Sequence, residues 1–509
     1  MAMETLGDVL AVGTDEALSI GGIVGSEVRV LSYGELRGQV ARLAGQLRGA
    51  GIERADRVAF VLPNGPEAAI LFLAVTSCST AAPLNPNYKE EEFRFYLDDL
   101  RARALVTRAG VASDAALAAR PEGVVHFELA GEPGALELTC NGEPLPSAPV
   151  DAPGPDDIAL ILHTSGTTAR PKIVPLRHIN LATSAENIGQ TLGLTPADRA
   201  LNVMPLFHIH GLVGVVLSTL CSGGSVVCTP GFDGFKFFEW LRMARPTWYS
   251  AVPTMHQVVL QRAAGHREEV AAASVRLIRS SSAQLPDSVM EGMESLFGAP
   301  MIQAYGMTEG AHQLASNLPP PGVRKPGAVG PGGQVSIAVL DGAGTLLPPG
   351  AVGEISVRGK SVFSGYENNP EANASAFTDG WFRTGDEGYI DKDGYVFLTG
   401  RLKEMINRGG EKVSPIEVEE VLLRHPAVAQ VVVFAVPHAQ LGEDVGAAVV
   451  LVPEVPATEQ ELRKFAATSL ATFKVPRTIV FLPELPKGPT GKLQRIGLAA
   501  RLGVGSAQR

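Results

Sequence analysis

From Leu31 the chain reads LSYGELRGQVARLAGQLRGAGI, with apolar side chains at Leu36, Val40, Leu43, Leu47 and Ile52. That spacing places them on one face of a helix, capped by Ser32 and stopped at Gly51. The following segment, DRVAFVLPNGPEAAILFLAVTSCSTAAPLNPNY, has short apolar runs around a turn at 63–66 and predicts strand, helix, strand. Two buried strands joined through a helix form a parallel crossover unit. Short apolar runs return at 200–205, 225–230, 247–252, 275–280 and 300–305. The expected fold is therefore α/β with parallel sheets layered between helices. Beyond Gln334 the pattern shifts to alternating runs such as VSIAVLD, GEISVRG and DGYVFLTG between Gly and Asp turns, which predict a small β-barrel-like subdomain. A compact α+β tail follows Gly400. The organisation read from these shifts is an N-terminal domain over 1–399, a hinge at 400–403 and a C-terminal domain over 404–509. The Gly- and Pro-rich stretch 131–155 predicts a surface excursion.

Composition narrows the function. Forty-three Lys and Arg against 53 Asp and Glu leave a net charge of −10, which argues against nucleic acid or an anionic membrane as the main partner. Cys78, Cys140, Cys221 and Cys228 form no CxxC pair, so neither a disulfide framework nor a zinc site is expected, and a reducing cytoplasm fits. The uncharged stretches 68–85 and 211–232 are punctuated by Ser, Thr, Gly or Pro as buried connections are, and no membrane span or secretory signal is expected.

Four segments carry chemistry. Thr164, Ser165, Gly166, Thr167, Thr168, Ala169, Arg170, Pro171 and Lys172 follow the apolar strand IALILH. A glycine among small hydroxyl residues lets successive N–H groups face one anion, so this is a phosphate cradle, although it lacks the Gly-Lys-Ser/Thr of a Walker A loop. Tyr305, Gly306, Met307, Thr308 and Glu309 end a strand, where open α/β sheets bind ligands, and offer an aromatic face, a hydroxyl and a carboxylate for Mg²⁺. Asp386 in WFRTGDEGYID can accept both hydroxyls of a ribose, with Arg401 as a second contact. Lys492, in LPKGPTGKLQR, is a compact charge on a flexible stem suited to clamping phosphate. His208 and His210 stand two apart, but no third ligand is at metal spacing, and a metal pair is not expected.

Together HTSGTTARPK, WYSAVPT, YGMTEGAH, NNPEANASAF and INRGGEKVSPIEVE resemble the adenylate-forming superfamily of acyl-CoA synthetases, non-ribosomal adenylation domains and luciferases. The resemblance covers residues 30–500 and is strongest to oxalate–CoA ligase-type members. It implies a carboxylate attacking the α-phosphorus of ATP, loss of pyrophosphate, and capture of the acyl-adenylate by the thiol of coenzyme A. By that resemblance Thr164, Ser165, Gly166, Thr167, Thr168 and Lys172 wrap the β- and γ-phosphates. Ser282, Ala283, Tyr305 and Gly306 bracket adenine, Thr308 meets the α-phosphate and Glu309 holds Mg²⁺. Asp386 and Arg401 hold the ribose. Lys492 bridges the ribose, the α-phosphate and the acyl carboxylate. The C-terminal domain is mobile and turns about Lys403, and Gly409 and Gly410 line the pantetheine channel. His208 gates the acyl group, whose pocket is lined by Tyr249, Ser280, Ala304, Met307, Ala311 and His312; the small Ala304 and Ala311 leave room for a bulky acid, whereas His312 can contact a polar or second carboxylate group, and the two implications pull in opposite directions.

Three positions depart from the family pattern: Ala169, Ile173 and Ser281 replace common glycines. A positive φ at 169 or 173 would carry a steric penalty of ~1–2 kcal/mol, more for the β-branched Ile173. Two other readings share these motifs: an adenylation enzyme loading a carrier-protein phosphopantetheine, and a non-catalytic nucleotide- or acyl-binding homologue.

Overall fold

The computed structural model describes residues 3–164, 171–486 and 495–505. Two eight-stranded sheets dominate the described N-terminal part. In the first, the strands Met301–Met307, Leu277–Ser280, Trp248–Ala251, Arg199–Asn202 and Ser225–Cys228 run parallel side by side. These are the five recurrent apolar runs of the sequence. The edge strand His312–Ser316 folds back antiparallel on Met301–Met307.

The second sheet holds the predicted crossover unit: Arg57–Val61 and Thr80–Pro83 pair in parallel, joined by the helix Pro66–Thr76. That helix is apolar on every side and buried from Ala68 to Thr76, as a helix enclosed by the core must be. It shares one apolar cluster with the helix Tyr33–Gly49, whose N-cap Ser32 forms a reciprocal capping box with Glu35. At the other end of this sheet, Ile158–Thr164 and Lys172–Arg177 form an antiparallel hairpin with Thr164 opposite Lys172.

The stretch 131–155 corrects the sequence reading. It contributes the strands Glu137–Cys140 and Glu143–Pro144 to the second sheet. Leu136 and Leu138 are fully buried, and the Gln39 and Gln46 amides hold their backbones. Only one apolar face of this edge is covered, so the Gly and Pro turns around it masked two buried leucines.

Past residue 327 an antiparallel sheet carries Gly353–Arg358, Trp381–Ile390 and Val396–Arg401. The C-terminal part has its own five-stranded sheet, centred on Val428–His438 and Gly442–Leu451, and its own apolar cluster. Among the described residues no helix is long and apolar enough to cross a membrane.

Candidate active site

The hairpin that brackets the phosphate-loop sequence aims Lys172 at a charged cluster. Ser165, Gly166, Thr167, Thr168 and Ala169, within that loop, lie outside the described residues. The Lys172 ammonium stands 4.3 Å from the centroid of the Tyr366 ring, and the Tyr366 hydroxyl donates to Glu309 Oε1 over 2.8 Å. Glu309 sits in the turn Thr308–Gly310 that follows the strand Met301–Met307. Its backbone carbonyl accepts the Phe363 N–H at 2.8 Å, which fixes the turn.

Burial pushes the Glu309 carboxyl above its ordinary pKa, and the Tyr366 hydrogen bond and the positive Arg401 and Lys172 pull it back. Burial, then the like charge of Lys403, draws the Lys172 ammonium below its ordinary value. One buried carboxylate among three cations suits Mg²⁺ bound to a polyphosphate. That ion takes one or two carboxylates and fills its shell with phosphate oxygens and water. Among the described residues no group of three metal-ligating side chains occurs, so Glu309 needs substrate oxygens to complete such a site.

Next to this cluster, Tyr305 donates to Asp386 Oδ2 at 2.5 Å and Arg401 Nε to Asp386 Oδ1 at 2.9 Å. Period-two alternation along Trp381–Ile390 turns Phe382, Thr384, Asp386 and Gly388 inward, and the register sets Asp386 directly opposite Arg401. Burial and the neighbouring Asp386 raise the Tyr305 phenol well above its usual range, so it is a neutral donor. Gly306 follows at a point where a Cβ would lie 1.6 Å from the His312 carbonyl oxygen, and only glycine fits.

Several residues expected at the acyl group meet in a buried polar cluster. His210 opens the fully buried π-helix His210–Leu217, a form frequent at functional sites. Its Nε2 lies 2.7 Å from Ser250 Oγ, its Nδ1 lies 3.1 Å from Ser282 Oγ, and its ring stacks on His312 at 4.7 Å. Gly214 of that helix lies against the stack, and a Cβ there would meet His312 Nε2 at 2.6 Å. Ser282, Ala311 and His312 all have positive φ, at 72°, 50° and 98°, so backbone strain is concentrated around the pocket. Ala283 is exposed, Ala304 is buried, and Met307 and Thr308 are half-buried. His208 is half-buried, and its Nδ1 lies 3.3 Å from the His210 N–H, at the entry to the π-helix.

Two expected pocket residues are elsewhere. Strand alternation turns Tyr249 to the opposite face of the sheet, where it packs on Phe237 and Phe297 and meets His256 Nδ1 at 3.3 Å. Ser250 occupies the pocket face in its place. Ser280 follows Arg279 and lies on the face away from the cluster. The doubts about the glycine replacements also narrow. Ile173 lies in the regular strand Lys172–Arg177, buried and without positive φ, and the positive φ near adenine falls on Ser282 rather than Ser281. Tyr366, Ser250, Gly214 and Arg279 escaped the sequence reading. Only Arg279, a charge inside the apolar run VRLIRS, gave a signal.

Of the described C-terminal candidates, Lys403 reaches this cluster through its charge on Lys172, and the two glycines stand apart from it. Gly409 and Gly410 form the exposed tip between Ile406–Arg408 and Glu411–Val413, with φ of 61° and 96°. Lys403 is exposed and Lys492 lies outside the described residues. Arg495 binds Glu404, Glu419 and the Val433 carbonyl.

The AMP-binding enzyme family matches residues 13–367, and the AMP-binding enzyme C-terminal domain matches residues 417–492. The chain is 44% identical over 475 residues to an oxalate–CoA ligase of Arabidopsis thaliana, covering 91% of this chain and 92% of that one. It is 36% identical to a sulfoacetate–CoA ligase of Cupriavidus necator, covering 92% of each. The crystal structure of ATP-bound MatB from Rhodopseudomonas palustris superposes with a TM-score of 0.88 at 32% identity, covering 99% of each chain. The apo crystal structure of the same MatB gives 0.78, also at 32% identity and 99% of each chain.

Proposed function

The chain belongs to the AMP-binding enzyme family, and from that membership we propose how its residues perform an ATP-dependent carboxylate–CoA ligase reaction. A carboxylic acid is activated as acyl-AMP with release of pyrophosphate, and the acyl group then passes to the thiol of coenzyme A. The observation that carries the assignment of roles is the Glu309–Tyr366–Lys172 cluster lying beside the Tyr305–Asp386–Arg401 cluster at the end of one strand.

Asp386, held from two sides by Tyr305 and Arg401, has its oxygens fixed to receive the ribose hydroxyls. Lys172 and the segment from Thr164 to Thr168 hold the β- and γ-phosphates, with Thr308 at the α-phosphate and Ser282, Ala283 and Gly306 beside adenine. Mg²⁺, bound through Glu309 and phosphate oxygens, supplies charge neutralisation. Phosphoryl displacement leaves little covalent work for the protein, so positioning and charge dominate. Lys492 is the residue that meets both the α-phosphate and the acyl carboxylate, and its charge matters most in the transition state. Residues 1–399 form the adenylation domain and 404–509 a domain that turns about 400–403, bringing Gly409 and Gly410 to the pantetheine channel. The better superposition on ATP-bound than on apo MatB supports an arrangement suited to the first half-reaction.

His208, Ala304, Met307, Ala311 and His312 form the acyl pocket together with His210 and Ser250. Relatives named for oxalate and sulfoacetate act on short acids, and we place the substrate of this chain in that class. Four free cysteines, three of them buried, fit a cytoplasmic protein. The test is acid-dependent pyrophosphate release over a panel of short, aryl and fatty acids, followed by addition of CoA or a holo-carrier protein. The expected result is release with a short acid and thioester formation on CoA. Transfer to the carrier alone would make the chain a carrier-loading enzyme, and absence of release with every acid would make it a non-catalytic binder.

A further inference from the structure

Arg279 is fully buried on the strand Leu277–Ser280. Its Nη1 lies 2.9 Å from His312 Nε2 and 3.5 Å from Ser250 Oγ, and its Nη2 donates to Gln313 Oε1 at 3.1 Å. Its Nε has no hydrogen-bond partner, and among the described residues no carboxylate pairs with it. Burial alone acts on the guanidinium, drawing its pKa down to about 9, so it stays cationic at neutral pH. A buried cation is ordinarily matched by a carboxylate, because desolvation of an isolated charge is unfavourable. Here its hydrogen-bond partners among the described residues, Ser250, His312 and Gln313, are neutral.

The geometry also fixes His312. A guanidinium has only donors, so His312 Nε2 accepts and the ring proton sits on Nδ1. His312 is thereby neutral, stacked on His210, and held in a strained backbone at φ 98°. The stack and Ser282 connect this buried charge to the acyl cluster, where His210 is bonded to the neutral hydroxyls of Ser250 and Ser282.

We infer that Arg279 is a specificity-determining residue: its unneutralised charge, acting through His312, makes the acyl pocket select an acid with a second anionic group. This rests on the ligase reading above and deepens it. The reacting carboxylate goes to the α-phosphate, and the far anionic end completes the charge balance that the protein leaves open. Arg279 is a positioning residue, because it acts through the His312 ring.

The test uses oxalate and oxamate, acids of nearly equal size of which oxamate has a neutral amide at the far end. Acid kcat/KM is read from pyrophosphate release. The wild-type protein is expected to favour oxalate by about a hundredfold, the scale of a lost partner at a buried charge. Arg279→Gln should shrink that ratio at least about tenfold through the KM for oxalate, leaving the KM for ATP and the oxamate rate near wild type, and Arg279→Lys should restore part of it. Gln313→Glu neutralises the cation in place without removing it and should shrink the ratio as Arg279→Gln does, which decides the matter if the Arg279 variants fail to fold. Absence of a wild-type preference, an equal loss for both acids, or an unchanged ratio in Gln313→Glu overturns the inference. Wild-type activity confined to monoacids would sink this proposal and spare the ligase reading, whereas no release with any acid would sink the ligase reading itself.

Discussion

The Tyr366 hydroxyl donates to Glu309 Oε1 across 2.8 Å. The same ring seats the Lys172 ammonium, so one side chain orders both the carboxylate proposed to hold Mg²⁺ and the cation proposed to hold phosphate. Tyr366→Phe keeps the ring and with it the cation–π seat. It removes a donor that holds the carboxyl down against the upward push of burial. The Glu309 carboxyl should therefore titrate at higher pH, and the acid limb of the activity profile should move up. The expected result is a several-fold increase in the Mg²⁺ concentration for half-maximal rate, with the KM for ATP at saturating Mg²⁺ nearly unchanged. A KM for ATP that rises while Mg²⁺ dependence stays fixed would contradict this division of labour.

Glu309 also couples function to stability. Its folded-state pKa is raised, so its contribution favours the folded protein at low pH, where the carboxyl is neutral in both states, and is lost as pH rises through the folded value. Glu309→Gln is permanently neutral. Without ligands its Tm should exceed the wild-type value at pH 8 and converge with it toward pH 5, while activity falls by about a hundredfold or more. Thermal melts at the two pH values decide this.

The Arg401–Asp386 pair spans an unequal environment: the Arg401 side chain is 46% exposed and that of Asp386 is 7% exposed. A pair open to water on the arginine side adds at most about 1 kcal/mol to folding. In the proposed reaction its value lies in fixing the carboxylate for the ribose. Arg401→Ala is expected to leave the Tm close to wild type and to raise the KM for ATP about tenfold, with the KM for the acid unmoved. A large drop in Tm with an unchanged KM for ATP would assign the pair to structure.

Gly214 probes the acyl end. Alanine is the better helix former, yet a Cβ at this position would lie 2.6 Å from His312 Nε2 and 3.0 Å from His210 Cδ2. Overpacking of this kind is unfavourable by about 1–3 kcal/mol, and the histidine stack is what must shift. Gly214→Ala should raise the KM for the acid by an order of magnitude or more and leave ATP binding intact, as read by isothermal titration with ATP alone.

Much of this was legible in the chain because the signals are local. The five parallel strands of the first sheet announce themselves as apolar runs, and Ser32 with Glu35 marks the start of a helix by capping chemistry. Glu309 stands out in the sequence as a carboxylate in the turn after a strand, and Asp386 as a carboxylate at an inward position of the strand Trp381–Ile390. Tyr249 was misplaced by one residue, since alternation along a four-residue strand does not tell which face holds the ligand. Arg279 shows the harder limit. Its significance is that no carboxylate among the described residues pairs with it, a property of the strands carrying Ser250, Arg279 and Gln313 brought together and absent from any window of sequence.

Lys492 tests the two-step scheme. Three residues on, Arg495 binds Glu419, the Val433 carbonyl and Glu404, the neighbour of Lys403. Glu419 is half-buried, and its carboxyl, raised by desolvation, is drawn back by Arg495, so this anchor belongs to the C-terminal body. In the turn proposed about 400–403, Arg495 moves with that body. A lysine that stabilises charge at the α-phosphate has to leave before a thiol can approach the acyl carbon along the same path. Lys492→Ala is expected to lower acid-dependent pyrophosphate release by at least about a hundredfold, while converting supplied acyl-adenylate and CoA to thioester at close to the wild-type rate. Single-turnover measurement of each half-reaction separates the two, and an equal loss in both would mean that the lysine supports the fold or the nucleotide generally and does not act on the first transition state alone.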